Sequence, residues 1–456
     1  MLPWTAIMSS DPVASLFTKS LSLLAAHFDS LPGFTPDESV TNLAAMDAVL
    51  AETADRLGDN YPYFHPLYAG QMLKAPHPVA RAAYALAQSI NPNNHARDGG
   101  RASSVMEIEA VQQIAAIFGW HEFLGHLTSG GTFANLEALW IGGQLAPGKR
   151  IVGSAQAHYT HQRISSVLKI EYTAIATDRQ GRMDVNALEQ ELRKGDVGLV
   201  VATLGTTGTG AVDPVDQILA LRDRYGFRLH VDGAYGGYFR LIAKTLDDAV
   251  RRAFEAADQA DSLAIDPHKH GLQPYGCGCI LFRDPAVGRF YKHDSPYTYF
   301  TSKELHLGEI SLECSRAGAA AVALWATQRL LPPVEDGEFA SGLAKCRRAA
   351  VELDRRLRMN TELDFEPLGG GPALDIVVWR AAAESFAASS ARAQKVFVSC
   401  ASRELHLALV QLPQPWFGQV AEIGGTVTCL RSVLMKPEHE QWINAIWARL
   451  AMAARE

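Results

Sequence analysis

Residues 197–237 read VGLVVATLGTTGTGAVDPVDQILALRDRYGFRLHVDGAYGG. One continuous apolar run ends in Gly and Thr, a helical stretch (PVDQILALRDRYG) follows, and a second apolar run closes on Asp232 and a glycine-rich turn. Continuous apolar runs alternating with helices indicate a mostly parallel sheet covered on both faces. The pattern extends outward, with RIVGSAQAH and MDVNALEQELRKG before this stretch and SLAIDPHKHG and GCGCILF after it. The fold class is therefore α/β. Residues of catalytic type stand just past these runs: His158, Thr206 and Thr207, Asp232 and Lys269. In open parallel sheets the ligand crevice lies outside the carboxyl ends of the strands. Four separate runs thus aim an imidazole, hydroxyls, a carboxylate and an amine at one place.

The flanks read differently. Residues 1–60 carry two helical patterns, SLFTKSLSLLAAHF and AAMDAVLAETADRL, separated by the turn-rich SLPGFTPDES. From about 66 to 145 the pattern stays mainly helical, and Ser103 or Ser104 with Glu107 suits a capping box before MEIEAVQQIAAIFG. From about 336 helices and strands alternate in a smaller α+β unit. The expected division is 1–65, a helical segment; 66–335, the large unit; and 336–456, the small one.

The totals narrow the class. The 456 residues include 49 acidic and 42 Lys or Arg side chains, a formal net charge of −7, with 48% hydrophobic residues. A large core is available, and no basic stripe points to nucleic acid. No apolar run reaches the 18 residues that a membrane span needs, and the N-terminus lacks a secretory pattern. Six cysteines without a repeating framework read as reduced thiols, so a cytoplasmic location is expected.

Lys269 lies between two histidines in a turn bounded by apolar text, which suits an imine-forming nucleophile; the competing reading is a surface loop lysine. Asp232 ends an apolar strand, where a buried carboxylate needs a partner, or it caps the following turn. In HLTSGGTFANLEALW a Gly-Gly-Thr turn opens a helix, a phosphate cradle or an ordinary glycine-rich cap. The pairs His158/His161, His268/His270 and His121/His126 match no standard zinc spacing, so no metal is expected.

Taken together, NYPYFHPLYAG, SGGTFANLEAL, AHYTHQRI, VVATLGTTGTGAVDP, HVDGAYGG, DPHKHG, LECSRAGAAAVALW and TCLRSVL resemble the group II pyridoxal-phosphate-dependent amino acid decarboxylases. That family includes the glutamate, aromatic amino acid and cysteine sulfinate decarboxylases, and the likeness spans most of the chain. It implies a fold type I (aspartate aminotransferase-like) homodimer with its active site at the interface, a helical N-terminal flap and a small C-terminal domain.

It implies pyridoxal 5'-phosphate held by Lys269 as an internal aldimine, with Asp232 on the pyridine nitrogen. His158 would stack on the ring, and Ala234 would pack beneath it. Gly131 and Thr132 would hold the phosphate, with His268 nearby and Thr207 at the ring region. Arg431 would bind the substrate carboxylate, beside Tyr63 and Phe64. Tyr297 or Tyr299 would protonate the carbon left after carbon dioxide departs.

The implied reaction turns an L-α-amino acid into its amine and carbon dioxide through an external aldimine and a quinonoid. The alternatives are a carbon–carbon lyase of the sphingosine phosphate lyase type and, further off, an aminotransferase. Phe133 stands where many relatives carry a polar residue, and Gly233 where alanine is usual. Arg97 and Arg101 either meet an anionic substrate or pair with Glu107 and Glu109.

Overall fold

The computed structural model describes residues 12–292, 307–418 and 424–456. A seven-stranded sheet is built from β1 (Leu124–Thr128), β2 (Arg150–Ser154), β3 (Tyr172–Ile175), β4 (Val197–Thr203), β5 (Arg228–Asp232), β6 (Ser262–Ile265) and β7 (Gly278–Phe282). Its order is β1-β7-β6-β5-β4-β2-β3. The pairs β3–β2, β2–β4, β4–β5 and β5–β6 are parallel, whereas β7 runs antiparallel to both β6 and β1. Strands β2, β4, β6 and β7 are buried along their whole length, which is why they read as unbroken apolar runs.

A second, antiparallel sheet comprises β8 (Phe365–Pro367), β9 (Ile376–Ala381), β10 (Ala408–Pro413) and β11 (Thr426–Val433), in the order β10-β11-β9-β8. Helices Glu338–Met359, Phe386–Ala401 and His439–Ala454 pack on it around Trp379, Leu353 and Leu450. The other face joins the core of the large sheet through Ile376, Val378 and Cys429. Leu409 and Leu430 pair across β10–β11, and Leu430 also pairs with Trp379 of β9. Among the described residues no helix is long and apolar enough to cross a membrane.

Two local expectations are corrected. Ser103 and Ser104 do not cap a helix: the helix starts at Arg101, Gly100 precedes it, and both serines are buried inside. Glu107 faces inward and accepts from Asn94 Nδ2 (2.6 Å), the Leu127 amide (3.0 Å) and Arg316 (2.9 Å). A buried carboxylate is retained only with such partners, and here they tie the helix to β1. Likewise Glu109 accepts from the Trp325 indole and from Arg329, both in another helix (Gly318–Leu330), rather than from Arg101.

Candidate active site

Strand ends β2, β4, β5 and β6 open on a cavity of about 300 Å³, whose walls include His158, Thr207, Asp232, Ala234, His268 and Lys269. That size is at the lower end of small-molecule sites, about 300–1,000 Å³. Thr206 is not among the walls. Its hydroxyl bonds Thr209 (3.0 Å) and accepts from the Ala211 amide (3.1 Å), which fixes the turn after β4.

One end of the cavity suits an anion. The helix Gly131–Leu145 begins there, and the amides of Gly131 and Thr132 belong to a first turn that has no carbonyl partner inside the helix. Gly130 holds φ +151° and ψ 175°, a conformation open essentially to glycine alone. A β-carbon on Gly131 would come within 2.7 Å of Asp266 Oδ2, so the loop is bare by steric necessity. His268 lies against Gly130, its ring tilted on Tyr275 (centroids 4.6 Å apart), and its buried Nδ1 has no hydrogen-bond partner. Burial lowers the His268 pKa, with Asp266 opposing the shift.

The loop is supported from behind by Gly278 of β7, where a β-carbon would lie 2.5 Å from the Gly130 carbonyl carbon. Gly278→Ala therefore has to displace the Gly130 backbone. Overpacking of this kind costs about 1–3 kcal/mol. If it falls on binding, affinity for a phosphorylated cofactor drops roughly 10- to 100-fold. Titration of the variant with pyridoxal phosphate checks this, and an unchanged affinity refutes the support.

At the opposite end Asp232 is 4% exposed. Its Oδ2 accepts from His161 Nε2 (2.8 Å) and Asn135 Nδ2 (3.2 Å), and its Oδ1 from the Ala234 amide (3.1 Å). Burial alone would raise this carboxyl, but His161, by hydrogen bond and charge, and then Lys269 outweigh it and hold it below the usual carboxylate range. Behind Asn135 stands His230, its Nε2 2.8 Å from Asn135 Oδ1 and its pKa pushed down to about 3 by burial. A fixed carboxylate at a cavity wall is what a protonated ring nitrogen requires.

Lys269 projects between these ends, with Nζ 3.1 Å from Asp266 Oδ2. Its turn is pinned by the bonds Lys269 N to Asp266 O (2.9 Å) and His268 N to Cys277 O (3.1 Å). His158 is half-buried, with Nδ1 2.8 Å from Thr160 Oγ1. Burial lowers its pKa, against the pull of Asp232. Tyr235, another wall residue, donates from its hydroxyl to Asp375 Oδ1 (2.6 Å), just before β9, and Asp375 Oδ2 faces His270 Nε2 at 3.2 Å.

Three expected residues lie elsewhere. Arg431 is buried beside the cavity without lining it; it donates to Thr207 O (2.8 Å) and Gln71 Oε1 (2.7 Å), and its buried Nε has no hydrogen-bond partner. Tyr63 packs edge-on against Tyr68 at 5.0 Å, and Phe64 lines a different cavity. Tyr297 and Tyr299 lie outside the described residues. Among the described residues no group of three His, Cys, Asp or Glu side chains could hold a metal; His126 instead bonds Glu137 at 2.9 Å. Asn135, His161, His230 and Asp266 were not singled out as site residues from sequence. His161, three residues past His158, carried the signal, and the helical spacing of Gly131 and Asn135 carried a weaker one.

The residues fit pyridoxal phosphate: an amine, a carboxylate for the ring nitrogen, and open amides with an orphaned imidazole at the phosphate end. Comparison with known proteins agrees. The pyridoxal-dependent decarboxylase conserved domain matches residues 144–366. An L-tyrosine decarboxylase of Enterococcus faecium is 30% identical, covering 71% of this chain and 68% of its own. A probable L-tyrosine/L-aspartate decarboxylase of Methanothermobacter thermautotrophicus is 27% identical, covering 68% and 82%. In fold, Oryza sativa TDC with PLP and tryptamine superimposes with a TM-score of 0.77 at 17% identity, covering 98% of each chain. Mouse CSAD gives 0.75 at 20% identity, covering 95% and 92%. The chain belongs to the group II pyridoxal-phosphate-dependent decarboxylases, which convert amino acids to amines and carbon dioxide.

Proposed function

We propose that this decarboxylase acts on an aromatic L-amino acid, L-tyrosine foremost, as a cytoplasmic homodimer. The observation that carries the reaction is the single cavity shared by Lys269, Asp232 and the Gly130–Gly131 loop. Aromatic choice is supported by Phe133 on the cavity wall. The names of the relatives, L-tyrosine and L-tyrosine/L-aspartate decarboxylases, point the same way.

When bound, pyridoxal phosphate supplies a conjugated ring that accepts the electron pair left by departing carbon dioxide. Lys269 would hold it covalently through Nζ, and the Gly131 and Thr132 amides with His268 would hold its phosphate. Asp232, kept ionised by His161, would keep the ring nitrogen protonated. His158, whose imidazole burial shifts toward the neutral form, would pack on the ring face of the cofactor. Arg431 orders the turn after β4 by its bond to Thr207 O, and so fixes the Thr207 wall.

A second copy is supported by the N-terminal helices. No residue of the helix Leu43–Leu57 is buried. Leu16, Leu23, Leu43, Leu50 and Leu57 are all more than half exposed. Apolar exposure on that scale marks an interface.

Carbon dioxide release from each of the twenty amino acids, with dopa and cysteine sulfinate added, tests the substrate. L-Tyrosine should exceed L-aspartate and L-glutamate at least about ten-fold in kcat/KM, about 1.4 kcal/mol of discrimination. Faster release from L-aspartate sinks the aromatic assignment. Light scattering on the same preparation should give twice the mass of one chain, and a single-chain mass sinks the dimer.

A further inference from the structure

A second cavity, of about 740 Å³, lies across the Lys269 turn from the first. His268 and Lys269 face the cofactor cavity, whereas His270 and Leu272 face this one, and the two cavities share no wall residue. Its walls are of two kinds. Phe64, Leu272, Leu331, Phe339 and Leu343 form an apolar surface, and Lys74, Arg81, Lys345 and Lys436 outnumber the two carboxylates, Glu338 and Glu438.

The lysines are under-compensated. Lys436 is 4% exposed, and among the described residues its Nζ meets the carbonyls of Tyr68 (2.6 Å) and Leu73 (3.4 Å) and the Tyr68 ring. Lys74 Nζ meets the Met435 carbonyl at 3.4 Å. Among the described residues neither ammonium lies within 4 Å of a carboxylate. Carbonyl dipoles do not neutralise a buried charge, and an unpaired one is costly. Burial pushes both ammoniums down, Lys436 to about 7 with the like charge of Lys74 adding to the effect. On the same wall His270 Nδ1 is buried and has no hydrogen-bond partner. Two buried amines without a carboxylate partner and an orphaned imidazole nitrogen, beside a cavity with an apolar floor, suit an anion that would hold the amines charged.

We propose that this cavity binds a small organic carboxylate with an apolar body, the carboxylate at Lys74 and Lys436 and the body on Leu272, Leu331 and Phe339. A carboxylate there supplies the charge-assisted bonds that the carbonyls do not. An apolar body removes the exposed floor from water. Its occupant touches the backbone turn that carries Lys269, but binding does not depend on the identity of the amino acid substrate.

The test is calorimetry on the cofactor-loaded protein with three probes: hexanoate, hexan-1-ol as its uncharged counterpart, and inorganic phosphate as a head without a body. Hexanoate should bind at least ten-fold more tightly than either of the others. Its affinity should fall ten-fold or more in Lys74→Met and in Lys436→Met, while the visible absorption of the bound cofactor stays unchanged. If a variant does not fold, the wild type decides: hexanoate, and not hexan-1-ol, should protect Lys74 from acetylation by acetic anhydride. No binding of hexanoate, binding unchanged in both variants, or equal binding by the alcohol or by phosphate overturns the proposal.

Discussion

Lys269→Ala should abolish the visible absorption of the protein incubated with pyridoxal phosphate and cut carbon dioxide release by on the order of 10³-fold or more. That lies within the 10²–10⁴ range of a positioned proton-transferring group, with the covalent anchor lost as well. The fold should survive. The Lys269 side chain is 20% exposed, and its turn is held by backbone bonds to Asp266 and Cys277 that alanine retains. What changes is local, because Asp266 loses the ammonium 3.1 Å away and keeps only His268, at 3.4 Å. Absorption spectroscopy and gas release on one preparation check both halves. A retained visible band, or a rate within ten-fold of wild type, would falsify the role of Lys269.

Asp232→Asn is the second large effect, and its origin is electrostatic. The amide can still accept from the Ala234 amide, so the β5 turn keeps its shape. It cannot carry the charge that faces His161 at 2.8 Å. Removing the buried carboxylate also takes the anionic acceptor from the His161 and Asn135 donors, and a ring nitrogen without an anionic partner would lose its proton. We expect kcat to fall by about 10²–10⁴, with KM changed far less.

The pH dependence of stability has a defined sign. The folded-state pKa of Asp232 is depressed, so its contribution is present above the unfolded value of about 3.9 and lost as pH falls through the folded value. The stability difference between wild type and variant should therefore be full at pH 7 and shrink in strong acid. Kinetics at saturating cofactor and denaturant melts at both pH values check this. A variant with wild-type kcat removes Asp232 from the mechanism.

The central sheet and the four strand-end residues were legible because burial on both faces leaves an unbroken apolar signature, and the fold puts strand ends on one edge. His158, Thr207, Asp232 and Lys269 meet in one cavity for that reason. Strands β1 and β3 were not picked out: LGHLT and YTAI are short, and His126 interrupts the first. Glu107 was misread as a capping partner because a capping box and a buried hub share the same local spacing. Only contacts at residues 127 and 316 tell them apart. Asn135 and His161 support Asp232 from positions 97 and 71 residues away along the chain, and no linear pattern encodes such a shell. Arg431 was placed at the substrate by likeness alone; within one chain its guanidinium is occupied by the Thr207 carbonyl and Gln71.

The bonds from Tyr235 to Asp375 and from Arg431 to Thr207 link the two sheets through the turns beside them, as does the apolar core around Ile376 and Val378. Every one of them would be severed by dissecting the chain ahead of Asp375. A fragment ending there would leave the Tyr235 phenol and the Thr207 carbonyl without these partners, and the excised piece would carry an unanswered guanidinium. The two sheets are therefore not separable modules. The small one braces, from outside the cavity, the turns after β4 and β5 that carry Thr207 and Tyr235.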